Sequence, residues 1–360
     1  MMNNRILVIN PGSTSTKVAV FEGDKEIVEK TLRHSSEELS QFQEEEEQLN
    51  FRKEKVLSFL KEESIALESL DIAMARGGLS KPIPSGVYLV DDNLLHDLKE
   101  TPKKHASNFA AKIAFDIASP LKIKACIADP VVVDELLEVA KMSGHPKFPK
   151  SSVFHALNQK AIGREHASRI GVKYENLNLI IAHLGGGVSV AAHAKGKVVD
   201  VNQALDGSGP FSPERSGSLP VGDIIRAAFS GAYTQQQMIE MLVGKGGMFA
   251  YLGTIDAKKV VELAAEKPSK EREVMEAMIY QISKEIASMV IPLENKVDAI
   301  LLTGGLAYGE WLTDKIKDKV EYIAPVFVYP GEDEMKALAL NGLRVLTGET
   351  TPKLYGETIF

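Results

Sequence analysis

The stretch Asn10-Pro-Gly-Ser-Thr-Ser-Thr-Lys17 gathers a carboxamide, four hydroxyls and an ammonium within eight residues, directly after the apolar run 6–9. Backbone N–H groups, hydroxyls and one cation are the donors that polyphosphate oxygens require. A Walker-type loop would place glycine before the lysine and open a helix. Here Thr16 precedes Lys17, and the β-branched residues beyond it, broken at Glu22-Gly-Asp24, predict a hairpin. The expectation is a phosphate loop between two strands.

A weaker copy stands half a chain later, at His183-Leu-Gly-Gly-Gly-Val-Ser189, and a third glycine turn at Thr303-Gly-Gly305. Two arginines also sit among small residues. Arg76 ends an apolar run and precedes Gly77 and Gly78, while Arg215 lies in Asp206-Gly-Ser-Gly-Pro-Phe-Ser-Pro-Glu-Arg-Ser-Gly217. A planar guanidinium grips carboxylate or phosphate oxygens through two parallel hydrogen bonds. The bland alternative for either arginine is a surface charge.

The elements that must hold these residues alternate between strands and helices. Residues 72–75, 87–90, 124–128, 177–182 and 297–302 are strand candidates; residues 105–118, 156–171 and 257–266 are helix candidates, and a last helix follows Met335. Residues 35–64 carry apolar side chains at helical spacing, with Glu44 to Glu47 as a solvated face. With one residue of slip in the loop, Lys17-Val-Ala-Val-Phe21 falls on Ser189-Val-Ala-Ala-His193. A duplicated α/β domain is therefore expected, with a first domain over 1–152 plus 336–360 and a second over 153–335.

A chain of 360 residues fits two domains, and 44% hydrophobic with 25% charged residues is a globular composition. A net charge of −7 argues against general nucleic-acid or acidic-membrane binding. The lone Cys126 permits no internal disulfide and reads as a small buried strand residue. Residues 1–5 run straight into the first strand, leaving no room for a signal peptide. The uncharged stretch 177–194 is too often interrupted by polar residues to span a membrane. A cytoplasmic protein is expected.

Together with Ala75-Arg-Gly-Gly78, His105-Ala-Ser-Asn108, Ala128-Asp-Pro130 and Phe154-His-Ala-Leu-Asn158, these motifs resemble the acetate/butyrate kinase family over nearly the whole chain. The resemblance implies the actin/hexokinase-like (ribonuclease H-like) fold, in which two duplicated domains with mixed sheets flank a nucleotide cleft. It implies reversible, direct in-line phosphoryl transfer between ATP/ADP and a short-chain carboxylic acid, with Mg²⁺, giving an acyl phosphate. It assigns Arg76, Arg215, His155 and Asp129 to catalysis. It places Asn10, Ser13, Ser15, Lys17, His183, Gly185, Gly186, Gly187, Asp256, Gly304 and Gly305 at the nucleotide, with Arg76, Gly77, His105, Phe154 and Pro213 at the acid. Asn10 and Glu334 would serve the metal, Glu332 being the alternative carboxylate, and a homodimer or larger homo-oligomer is expected. Glycines beside Arg76 would leave room for an acid longer than acetate, such as butyrate or a branched analogue.

Several bland readings stand beside these. His155 and Asp256 are also positioned as helix caps, Asp129 as a turn residue, and His105 as a helix start. Acetate or propionate as the substrate is the nearest functional alternative. A sugar kinase of the same fold would need a carboxylate base beside a hydroxyl, whereas an ionised carboxylate nucleophile needs none. A nucleotide-switched binding protein would need a further interaction surface, and no appended domain for one is visible in the sequence.

Overall fold

The computed structural model describes residues 4–102 and 105–358. The chain divides into two compact units, 1–133 with 333–360, and 134–332. The segment 134–152, counted with the first domain from sequence, makes its bonds inside the second unit. Leu137 N–H donates to Val199 O at 3.0 Å, and Lys160 Nζ meets Glu135 Oε2 at 2.7 Å.

Unit 1 is built on strands β1 (Arg5–Gly12), β2 (Ser15–Glu22), β3 (Lys25–Arg33), β4 (Ile72–Arg76), β5 (Val87–Leu89) and β6 (Lys124–Ala128), in the order β3-β2-β1-β4-β6-β5. The β1–β2–β3 meander is antiparallel, and β1, β4 and β6 run parallel. Ile6, Leu7, Val8 and Ile9 on β1 are wholly buried, as a strand covered on both faces requires. Helices Phe109–Leu121 and Glu334–Leu346 pack on β1 and β4. Cys126 is buried on β6, where desolvation pushes its thiol up to about 12.

Unit 2 repeats the plan with β7 (Asn178–Leu184), β8 (Val188–Ala194), β9 (Lys197–Val201), β10 (Ala299–Gly304) and β11 (Val326–Pro330), in the order β11-β10-β7-β8-β9. Here β7, β8 and β9 form the antiparallel meander, and β10 and β11 continue it in parallel. The repeat extends to register. Asn10 faces Lys17 across β1–β2, and His183 faces Ser189 across β7–β8. The register of each meander also shifts at the same place, between Val20 and Phe21 in one and between Ala192 and His193 in the other. A β-bulge is a positional feature, so its recurrence supports the one-residue slip read in the loops. The fold is the duplicated α/β architecture with mixed sheets that the sequence predicts.

Candidate active site

In unit 1 the phosphate loop is the tip of the β1–β2 hairpin, with only Ser13 and Thr14 between the paired residues Gly12 and Ser15. Ser13 and Lys17 are exposed, and Lys17 lies within β2 rather than at the start of a helix. The tip is held from behind by a residue that the motifs do not single out. Arg52, on the helix Glu45–Glu62, is wholly buried. Its Nη1 donates to Gly12 O at 3.0 Å, Ser15 O at 2.9 Å and Thr16 Oγ1 at 3.0 Å, and its Nη2 donates to Ser13 O at 2.9 Å. One planar fork thus collects the inward carbonyls of the loop. Burial pulls the Arg52 pKa down to about 10, which leaves it cationic at neutral pH. A signal for it exists in the sequence. Leu49, Arg52, Val56, Phe59 and Leu60 are the buried positions of this helix, so one charge occupies its apolar stripe.

Asn10, Arg76 and Glu334 meet where β1, β4 and the first turn of the closing helix come together. Asn10 Nδ2 donates to Glu334 Oε2 at 2.7 Å, Arg76 Nη1 lies 3.2 Å from the same oxygen, and Arg76 Nη1 lies 3.4 Å from Asn10 Oδ1. Glu334 is therefore the carboxylate beside Asn10, while Glu332 Oε2 lies 3.2 Å from His183 Nε2 in unit 2. Asp129 follows β6 in the left-handed region, at φ 38°, and its Oδ1 accepts from Ser85 Oγ and Gly86 N–H, each at 2.9 Å. His105 caps a short 3-10 turn: its Nδ1 accepts from Ser107 N–H at 3.1 Å. Burial, then the Arg76 and Arg52 charges, hold the His105 pKa below its usual value.

Gly77 and Gly78 do not open the room for an acyl tail that the sequence suggests. A Cβ on Gly77 would overlap Pro130, and one on Gly78 would meet Asn108 Oδ1 at 2.5 Å. The space these glycines leave is filled by the protein's own atoms, so they serve close packing behind Arg76.

In unit 2 the glycine turn after β7 and the Arg215 loop are built against each other. A Cβ on Gly187 would overlap the Arg215 guanidinium, so the missing side chain is what admits the arginine. Arg215 Nη1 donates to Ala204 O, and Ser212 Oγ, which accepts from Arg215 N–H at 3.1 Å, donates to Gly186 O at 2.6 Å. Burial lowers the Arg215 pKa, with Glu214 and Asp206 opposing. His155 follows the buried Phe154, and its ring stacks on His183 with centroids 3.8 Å apart and planes 13° from parallel. His183 Nδ1 lies 2.8 Å from Asn158 Oδ1.

A cavity of about 770 Å³ opens beside this turn, lined by Gly185, Gly186, Pro213, Gly305, Tyr308 and Trp311 among others. That volume lies in the range of small-molecule pockets. Gly304, next to the cavity-lining Gly305, joins Gly331 in an isolated bridge. Asp256 caps the helix Ala257–Glu266, accepting from Lys259 N–H at 3.1 Å, while its neighbours Ile255 and Ala257 line the cavity.

The unit 2 turn and cavity, and the unit 1 loop with its Asn10, Arg76 and Glu334 cluster, suit a phosphotransferase of this duplicated fold. Known structures agree on the fold. The chain aligns with Porphyromonas gingivalis acetate kinase at a TM-score of 0.75 and 18% identity, covering 95% of this chain and 99% of that one. A propionate kinase from Francisella tularensis aligns at a TM-score of 0.72 and 19% identity, covering 94% and 98%. A model of the acetokinase family matches residues 150–324. Butyrate kinase 1 of Clostridium acetobutylicum is 51% identical over 352 residues, 98% of this chain and 99% of that protein. The chain belongs to the acetokinase family.

Proposed function

We propose that this chain is an ATP-dependent short-chain carboxylate kinase whose preferred acid is butyrate or a branched analogue. The observation that carries the reading is the half-identity to a butyrate kinase along nearly the whole of both chains. Arg76 Nη1 lies 3.2 Å from Glu334 Oε2, so the acid would be gripped by the remaining N–H donors of the guanidinium. In the forward reaction a carboxylate oxygen of the acid attacks the γ-phosphorus of ATP. The new O–P bond forms as the bond to the bridging oxygen breaks, and ADP leaves with that electron pair. The acid is ionised at neutral pH, so no general base is required. Catalysis then consists of positioning and charge neutralisation.

In this reading Arg76 grips the acyl carboxylate, and Arg215 stabilises the equatorial oxygens of the transferring group. His155 donates a hydrogen bond to those oxygens, and Asp129, whose Oδ1 is fixed by Ser85 and Gly86, orients an arginine or approaches the metal. Ser13, Ser15 and Lys17 bind phosphate oxygens, as do Gly185, Gly186 and Gly187 with His183. Gly304, Gly305 and Asp256 serve the adenosine side; His105, Phe154 and Pro213 flank the acid.

Mg²⁺ fits the donor set at Asn10 and Glu334. Among the described residues no cluster of three or more His, Cys, Asp or Glu side chains forms. That suits a cation which keeps several waters and is held by one or two carboxylates together with substrate phosphates. When bound, it would neutralise phosphate charge. No helix among the described residues is long and apolar enough to cross a membrane, and a cytoplasmic homo-oligomer is part of the proposal.

The reverse reaction provides the test. ADP with butyryl phosphate should yield ATP, read by luciferase luminescence, with the magnesium salt and the purified chain. No ATP from butyryl, isobutyryl or acetyl phosphate would contradict the reading.

A further inference from the structure

Behind His155 runs a buried line of polar side chains, of which the motifs contribute only Ser189. Tyr174 OH lies 2.6 Å from His193 Nδ1, and His193 Nε2 lies 2.9 Å from Gln159 Oε1. Gln159 Nε2 lies 3.1 Å from Ser189 O and 2.9 Å from Ser189 Oγ. Ser189 Oγ in turn lies 2.9 Å from His155 Nδ1. Gln159, Ser189 and His193 are wholly buried, and Tyr174 is 4% exposed.

The directions of the bonds from Tyr174 through to Ser189 follow from donor chemistry. The Ser189 carbonyl can only accept, so the amide of Gln159 must turn its NH₂ toward Ser189 and its oxygen toward His193. His193 therefore donates from Nε2. Burial, together with the Lys160 and Arg164 charges, holds the His193 pKa well below its ordinary value, so the ring is neutral and Nδ1 accepts from Tyr174. Ser189 Oγ accepts from Gln159, and His155 Nδ1, 2.9 Å away, is the acceptor within reach for the serine's own proton whenever that ring nitrogen is unprotonated.

We propose that Gln159 and Ser189, backed by His193 and Tyr174, are positioning residues that hold His155 in the tautomer protonated on Nε2. Nε2–H is then the fixed donor for the phosphoryl oxygens, with the ring oriented before substrate arrives. The assignment rests on the proposed role of His155. A hydrogen bond to one ring nitrogen commonly decides which tautomer the other nitrogen presents.

The test uses ¹⁵N-histidine-labelled full-length protein and long-range ¹H–¹⁵N spectra, with His155 identified among eight histidines by the signal lost in His155→Asn. Wild type should show a protonated Nε2 and a bare Nδ1. Ser189→Ala and Gln159→Met should each mix the tautomers and lower kcat ~10- to 100-fold, with KM for both substrates nearly unchanged, the scale for partners that orient an imidazole. Ser189→Thr, which keeps the hydroxyl, should retain the Nε2–H form and most of kcat. Melting curves for each variant establish that the fold survives. A bare Nε2 in wild type, or an unchanged tautomer and kcat in both Ser189→Ala and Gln159→Met, overturns the proposal. A tautomer that shifts while kcat holds overturns instead the role given to His155.

Discussion

Arg76 and Arg215 are held in different ways, and this shapes what their loss should do. Arg76 is part-exposed and shares one carboxylate oxygen of Glu334 with Asn10. Arg215 is part-buried against a glycine turn and a backbone carbonyl. Arg76→Ala or Arg215→Ala should each lower turnover by at least ~100-fold, the scale for removal of one transition-state donor. Steady-state rates beside melting curves would check this; near-normal turnover in both would remove the arginines from the mechanism. Both stand out in the sequence because an arginine among small residues fits no apolar helix or strand pattern. Arg52 leaves one trace, a charge within the apolar stripe of its helix. The Tyr174–His193–Gln159 line leaves none, since it sits inside ordinary helix and strand patterns and only coordinates reveal what a buried polar side chain faces.

Two contacts between elements decide how the loops are presented. Arg52 ties the β1–β2 tip to the helix Glu45–Glu62. Arg52→Met keeps the apolar stem but leaves several carbonyls without their donor, and should cost about 2–4 kcal/mol. Denaturant unfolding would measure that loss, and KM for ATP should rise more than kcat falls. Gly187→Ala should act through Arg215, since the overlapping atoms are the far end of a flexible side chain. Its turnover should approach that of Arg215→Ala while its melting temperature stays near wild type. An unaffected rate would show that the arginine does not need this space. Most strands and long helices can be placed from periodicity and turn residues. β11 is absent from the strand candidates above although Val326-Phe-Val-Tyr329, bounded by prolines, is a strand signal.

Across the molecule, the duplication is legible because the loop motif recurs, and the repeated bulge fixes the register. The boundary near 134 is less legible, since Pro and Gly at 144–149 mark a loop without saying which sheet it packs on. Stability should depend on pH through histidines kept neutral. Burial, followed by the Arg52 charge, lowers His34 to about 4, and the pKa values of His105, His166 and His193 are also lowered, in each case first by burial. The unfolded chain binds those protons near pH 6.5, so stability should fall as pH drops from 6.5 toward 4. Melting temperature against pH would show it, and His34→Gln should flatten part of that slope.

That the phosphoryl acceptor is a short-chain carboxylate longer than acetate can be checked by trapping the product. ATP, Mg²⁺ and hydroxylamine would be incubated in turn with acetate, propionate, butyrate, isobutyrate and glucose, following hydroxamate and ADP. Hydroxamate is expected from the short acids, with the highest kcat/KM for butyrate or isobutyrate and no ADP with glucose; absence of hydroxamate from every acid would contradict a carboxylate acceptor.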